Sequence, residues 1–342
     1  MSTRPVSDRS LEAADFDGRS ASSARRRVRT VLSAVLAAVF VALAVWFLGR
    51  HPDELAHLRA VSVPYLLAAA FCMVANLTLN GYFTSLALEG LQVRVPLSDC
   101  LCLSYSATFS NQVLPLRAGL GLRAVYLKHL YQVPYTQFVG TVSAYVALLL
   151  LAHSVLGLAG VLLIAGQGGP ISMPVFACFG TVTIAAFVVL FLAPKVSDSA
   201  EPASSALVRV AQGLQSFRRN GHLARGAALT ILASVMCSCG AYYFLFAGLG
   251  LDFGVTHSVV MTSTQVLSGQ LTITPGAFGI QESFGMYLSE TLPVTPAQTL
   301  IALGLARVLM VAVAILLGGP ATVHLSRQLS RHSGDVSAVA TQ

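Results

Sequence analysis

Hydrophobic residues fall in long runs along this chain, separated by short polar joints. Runs near 30–49, 63–87, 137–165, 172–193, 225–249 and 296–319 match or exceed the ~20 residues that cross a hydrocarbon core as a helix. The pattern predicts an all-α polytopic membrane protein with about six spans. Two further apolar segments, about 99–114 and 256–274, do not fit. The first is too short to cross comfortably, and both are polar for lipid-facing helices. Ser104, Ser106, Thr108, Ser110, Asn111 and Gln112 crowd the first; Thr262, Gln265, Ser268 and Gln270 stud the second. Each is followed by a second short helical stretch, about 117–130 and 277–291. Irregular backbone survives at membrane depth only when buried in protein or lining a cavity. Each pair of stretches therefore predicts a re-entrant helical hairpin. Full crossings by both arms of either hairpin, eight spans in all, would leave every other loop on the side that six spans give it.

Composition agrees with a membrane chain: 55% of the 342 residues are hydrophobic and 10% are charged, against about 25% charged in soluble domains. A net charge of +7 could indicate nucleic acid, but its distribution argues for a membrane instead. Arg4, Arg9, Arg19, Arg25, Arg26, Arg27 and Arg29 precede the first span, and most other cations lie between spans. Residues 1–29 read as a disordered cytoplasmic tail. Lys195, Arg209, Arg218 and Arg219 then fall inside, as do Arg327 and Arg331 in the tail 321–342. The outer joints 166–171 and 250–255 hold no basic residue. This is the positive-inside arrangement, with both termini cytoplasmic. A cleaved signal peptide ending at Ala42-Leu-Ala44 is opposed by Trp46, Phe47 and Leu48, which extend the apolar run beyond it. The six cysteines show no metal or disulfide spacing, and no cofactor is implied.

One motif occurs twice. Asn111-Gln-Val-Leu-Pro115-Leu-Arg117-Ala-Gly119-Leu-Gly121-Leu-Arg123 opens the joint of the first hairpin. Gln270-Leu-Thr-Ile-Thr-Pro275-Gly276-Ala-Phe-Gly279-Ile-Gln-Glu282 opens that of the second. The prolines lie 160 residues apart. Flanking spans match as well, so 63–165 and 225–319 read as inverted repeats within a 30–320 transmembrane domain. Paired Gly/Pro-interrupted segments in two halves are the sequence mark of a transporter site built from broken helices.

The motifs also hold the charges. Arg117, Arg123 and Lys128 have no acidic residue between Asp99 and Asp198 to neutralise them. Arginine's planar fork suits phosphate, while Gly119 and Gly121 permit close backbone approach to an anion. Snorkelling of these cations to the cytoplasmic surface is the competing reading. Glu282 and Arg307 are expected to pair or to face a cavity, because a lone charge within a span is costly. Asn111, Gln112, Gln265 and Gln270 either line that cavity or cap the broken helix ends. His153 and His257 read as structural, and Tyr126, Tyr131 and Tyr135 as interfacial. No hydrolase, zincin or nucleotide-binding motif occurs, so the chain is not expected to be an enzyme.

These motifs resemble those of the lysylphosphatidylglycerol synthase transmembrane-region family of flippase-like proteins, over about 30–320. The family's first motif, Asn, apolar residues, then Pro-Gly-Arg-Ala-Gly-Glu-x-x-Arg, is matched by Asn111, Pro115, Arg117, Ala118, Gly119 and Arg123. Leu116 replaces its Gly, and Leu120-Gly121 lacks its acid. The second, Pro-Gly-Gly-Leu-Gly-x-Arg-Glu, is matched by Pro275, Gly276, Gly279 and Glu282, with Ala277, Phe278 and Gln281 departing. Arg307 fits the usual arginine of the last span. The resemblance implies a bacterial inner-membrane protein that translocates or handles an anionic or glycosylated lipid, or a lipid-linked glycan. It does not imply lysyl transfer, which belongs to a soluble synthase half. The alternative role is a non-transporting membrane partner of a glycosyltransferase or lipid synthase. The expected substrate-binding set is Asn111, Pro115, Arg117, Gly119, Gly121, Arg123, Gln270, Pro275, Gly276, Gly279, Glu282 and Arg307.

Overall fold

The computed structural model describes residues 61–114, 118–197, 220–271 and 274–340, with Ala42, Val45, Trp46, Gly49 and Arg50 before them. The tail 1–29, nearly all of the expected first span, Pro115 and Arg117 lie outside the described residues. Every described element is helical: α1 (Val63–Gly90), α2 (Leu97–Val113), α3 (Ala118–Tyr131), α4 (Tyr135–Gly166), α5 (Met173–Ser197), α6 (Gly221–Gly248), α7 (Val255–Ser268), α8 (Ile280–Leu288), α9 (Pro296–Val313) and α10 (Gly319–Ala340). A π-helical turn, Ala314–Gly318, joins α9 to α10. Among the described residues, five segments are long and apolar enough to cross a membrane: α1, α4, Met173–Leu190 of α5, α6, and α9 continued to Arg331. The chain is an all-α polytopic membrane protein. Leu67, Phe71, Ile184, Leu229 and Met236 are each at least 66% exposed, which water would oppose and lipid favours.

Helix starts follow local chemistry. Proline occupies the first turn of α1 and of α9, where a backbone N–H has no helical partner to lose. Thr295 and Gln298 cap α9 reciprocally, each side chain accepting the other's N–H at 3.1 Å. Asn220 Oδ1 accepts the N–H of His222 at the start of α6.

α1 and α6 are both 28 residues long and start 158 positions apart. They pack antiparallel along their whole length. Ser62 N–H donates to the Gly248 carbonyl (2.9 Å), and Gly240 and Gly226 lie against Cys72 and Leu86. Small residues let the backbones approach this closely. Both helices end in the same turn. The N–H groups of Gln92 and Val93 reach back to Glu89 and Leu88, as those of Gly250 and Leu251 reach back to Ala247 and Phe246. The turn needs a left-handed residue, and the φ angles are 60° at Gln92 and 72° at Gly250. Gln92 is exposed, so nothing offsets its backbone strain. Gln92→Gly is expected to raise stability by about 0.5–1 kcal/mol. A thermal midpoint in detergent that stays put or falls would contradict this.

The same order of elements follows each long helix. α2 and α3 pack against each other, and so do α7 and α8. α2 then lies against the π turn and α10, while α7 lies against α4, so each short pair leans on the other half. At 17 residues α2 is ~26 Å long, and at 14 residues α7 is ~21 Å, both short of a ~30 Å core. The second pair is shorter than its hydrophobic pattern predicts. α7 stops at Ser268 before Gly269, and α8 starts only at Ile280, because Gly276, Ala277 and Gly279 all have positive φ. The polar segment after 320 is not a simple tail. It continues as α10, and Thr322 and Leu325 dock it on the first hairpin.

Candidate functional site

The second motif folds into a tight, crowded turn. Pro275–Ala277 form one turn of 3-10 helix, and Thr274 Oγ1 donates to the Phe278 carbonyl at 2.7 Å. Gly279, at φ 83°, caps α8, and its N–H donates to Glu282 Oε2 (2.7 Å). Ala277 holds φ 55° with its methyl buried. Strain of ~1–2 kcal/mol and burial of one carbon, ~0.8 kcal/mol, nearly balance there. A Cβ on Gly276, which holds φ 58°, would lie 2.6 Å from Gln112 Oε1 and 3.1 Å from Arg307 Nη1, so the two motifs meet at this glycine and a side chain there would push those two side-chain ends away.

Arg307, projecting from α9, closes this turn. Its Nε donates to Glu282 Oε1 at 2.6 Å, Nη1 to the Gly276 carbonyl at 2.8 Å, and Nη2 to Gln281 Oε1 at 3.0 Å. The guanidinium also stands 5.0 Å from the Phe278 ring centroid. The ion pair expected between Glu282 and Arg307 is therefore present, with every contact of Arg307 fixing the motif. Gln265 and Gln281 tie the arms together: each side-chain amide donates to the other's backbone carbonyl, at 3.1 and 2.9 Å.

The first hairpin is built differently. Asn111 Oδ1 accepts the Gly119 N–H (2.9 Å), so a polar residue in the last turn of α2 caps the start of α3. Gly119 is buried against α2, where a Cβ would fall 2.2 Å from the Ala107 carbonyl oxygen. Its close approach is thus to a neighbouring helix, and Gly121 faces outward with nothing near it. Arg123 points inward and is 9% exposed. Nε donates to the Leu103 carbonyl (3.2 Å) and Nη2 to Asn80 Oδ1 (3.1 Å). Among the described residues it forms no ion pair. Asp99, the nearest acid in sequence, is instead held by the hydroxyls of Tyr126 (3.1 Å) and Tyr131 (2.6 Å). Tyr126 is fully buried in that cluster.

Both hairpins open on one cavity of about 440 Å³. Asn111, Gln112 and Arg123 line it from the first half; Gln270, Gly276, Glu282 and Arg307 line it from the second. The volume falls within the ~300–1,000 Å³ usual for small-ligand sites. Its wall mixes apolar Met73, Leu77, Phe83 and Leu303 with amides and hydroxyls. The model of the family described as the lysylphosphatidylglycerol synthase TM region matches residues 30–318. The chain belongs to that family. No curated protein matches it.

Within this member of the synthase TM-region family, Gly119 and Gly279 shape the hairpins without lining the cavity, and Gly121 and Pro275 also lie off its wall. The cavity also uses residues that the motifs do not contain. Asn80 and Thr84 come from α1, Thr141 and Tyr145 from α4, and Tyr242 from α6. Asn80 Nδ2 lies 3.4 Å from the Tyr145 hydroxyl, and Phe83 packs against the Tyr145 ring in a tilted arrangement, centroids 4.4 Å apart. A sequence signal for one of them exists, because Asn80 follows Asn76 at i, i+4 within a largely apolar span. Asn76 holds Ser234 and Ser238 of α6, and Asn80 holds Arg123. His153 is buried in α4 outside this wall, and neither ring nitrogen has a hydrogen-bond partner.

Proposed function

We propose that this membrane lipid-handling protein moves an anionic or glycosylated lipid headgroup across the bilayer by alternating access. One observation carries the reading. A cavity of mixed polar and apolar wall sits among spanning helices, lined by residues of both motif-bearing hairpins and by a buried arginine. A buried cation without a carboxylate is costly in a membrane unless something anionic comes to it. The antiparallel α1–α6 pair and the short paired helices support inverted repeats with two re-entrant hairpins. In this reading the protein is in the bacterial inner membrane with both termini cytoplasmic. Arg117 and Arg123 take the headgroup from that side, the Glu282–Arg307 pair couples the second hairpin, and no catalytic step is required.

The test is headgroup movement in proteoliposomes. Arg117→Ala and Arg123→Ala, each at wild-type yield and thermal midpoint, are expected to lower the rate at least ~10-fold, the scale of one charge-assisted hydrogen bond. Unchanged rates would refute the site. Tight lipid retention with no movement, together with a co-purifying transferase, would favour a lipid-holding partner of a glycosyltransferase or lipid synthase.

A further inference from the structure

We infer that Asn80 is the positioning residue of the first hairpin's buried arginine: its neutral amide holds Arg123 in place without cancelling the charge. The inference rests on the lipid-handling reading and adds to it a residue outside both motifs. Among the described residues, two guanidinium groups line the cavity, and they are held in opposite ways. Arg307 has an acid. Glu282 takes its Nε at 2.6 Å, while the Gly276 carbonyl and Gln281 take the other two nitrogens. Arg123 has no acid among the described residues. The Leu103 carbonyl accepts its Nε at 3.2 Å, and Asn80 Oδ1 accepts Nη2 at 3.1 Å.

A guanidinium only donates, so the oxygen of the Asn80 amide must face it, and the amide nitrogen is left to donate elsewhere. That nitrogen lies 3.4 Å from the Tyr145 hydroxyl on α4. The amide is therefore gripped from both ends, between the first hairpin and a spanning helix. Asn76, one turn earlier on α1, holds Ser234 and Ser238 of α6 and lines no part of the cavity. Asparagine and aspartate have the same shape. A carboxylate at position 80 would meet Nη2 in the same place, accept the Tyr145 proton on its other oxygen, and neutralise Arg123 with no atom displaced. Burying the arginine beside an amide leaves a cation uncompensated, a cost that this exchange would remove. An amide in that place sacrifices stability and keeps the positive charge for an anion that arrives from outside the protein.

Asn80→Asp separates a positioning role from a structural one, because the two predict opposite relations between stability and binding. The full chain is compared by thermal midpoint in detergent and by native mass spectrometry of retained lipid. Equimolar dioleoyl phosphatidylglycerol serves as the anionic probe and dioleoyl phosphatidylcholine as the zwitterionic one. Asn80→Asp should raise the midpoint by about 2 °C or more, and lower retention of phosphatidylglycerol relative to phosphatidylcholine at least ~10-fold. Asn80→Ser keeps a neutral oxygen but shortens its reach. It should lower the midpoint and leave the retention ratio within about threefold of wild type. A purely structural Asn80 would move both readings the same way in both variants. An Asn80→Asp protein that is less stable than wild type, or equally selective, overturns the inference, and so does loss of selectivity in Asn80→Ser. A wild type that retains both lipids alike also overturns it, while the lipid-handling reading still stands if headgroups move in proteoliposomes. A chain that neither retains nor moves lipid defeats both.

Discussion

Glu282→Gln is expected to destabilise the protein by about 3–5 kcal/mol, the usual cost of breaking a buried ion pair from one side. Glu282 is 3% exposed, and its two oxygens have separate duties: Oε1 takes Arg307 Nε and Oε2 takes the Gly279 N–H. Glutamine retains only one acceptor oxygen, so either the guanidinium or the backbone N–H would face an amide donor. Arg307 would also be left as an unpaired charge beside the cavity. The double variant Glu282→Gln with Arg307→Met removes that charge and should recover part of the loss. Thermal midpoints in detergent for the two singles and the double measure the coupling. A Glu282→Gln protein as stable as wild type would mean that the pair does not hold the turn.

Gly119→Ala and Gly121→Ala should move stability in opposite directions, though only Leu120 separates the two positions. The new methyl at 119 would sit 2.2 Å from the carbonyl oxygen of Ala107 and 2.7 Å from its Cα, both backbone atoms that cannot rotate aside. α2 and α3 would have to separate, at a cost of about 3 kcal/mol or more. Separation also lengthens the Asn111–Gly119 cap and tilts Arg123 away from Asn80. At 121 nothing lies within 4 Å, and alanine is the better helix former by about 1 kcal/mol. Midpoints that move together would show that the hairpin is not packed through Gly119.

Spans were legible because a hydrocarbon core sorts residues by composition alone. Five of the six expected runs correspond to long described helices, while the first, 30–49, lies outside the described residues. The hairpins were legible from polar residues and Gly/Pro breaks, which lipid forbids outside a protein-lined cavity. What each glycine does was not. Gly119, Gly276 and Gly279 look alike in sequence, yet they serve a helix crossing, a meeting of two motifs and a left-handed cap. Only the neighbours distinguish them, and those come from residues far along the chain. Thr84, Thr141, Tyr145 and Tyr242 were hidden for the same reason. A lone hydroxyl in a span can bond its own helix, as Thr84 Oγ1 does to the Asn80 carbonyl, so it carries no sign of where its side chain faces.

α5 touches the rest of the described structure chiefly through α4, with Phe179 seated on Gly157, and it contributes nothing to the cavity wall. Its importance is one of parity. α5 is one of the crossing segments between α1 and α6. Removing a single crossing exchanges the face at which α6 begins, and α6 would then run parallel to α1 instead of antiparallel to it. A helix that lines no part of the cavity thus sets the direction of one that does.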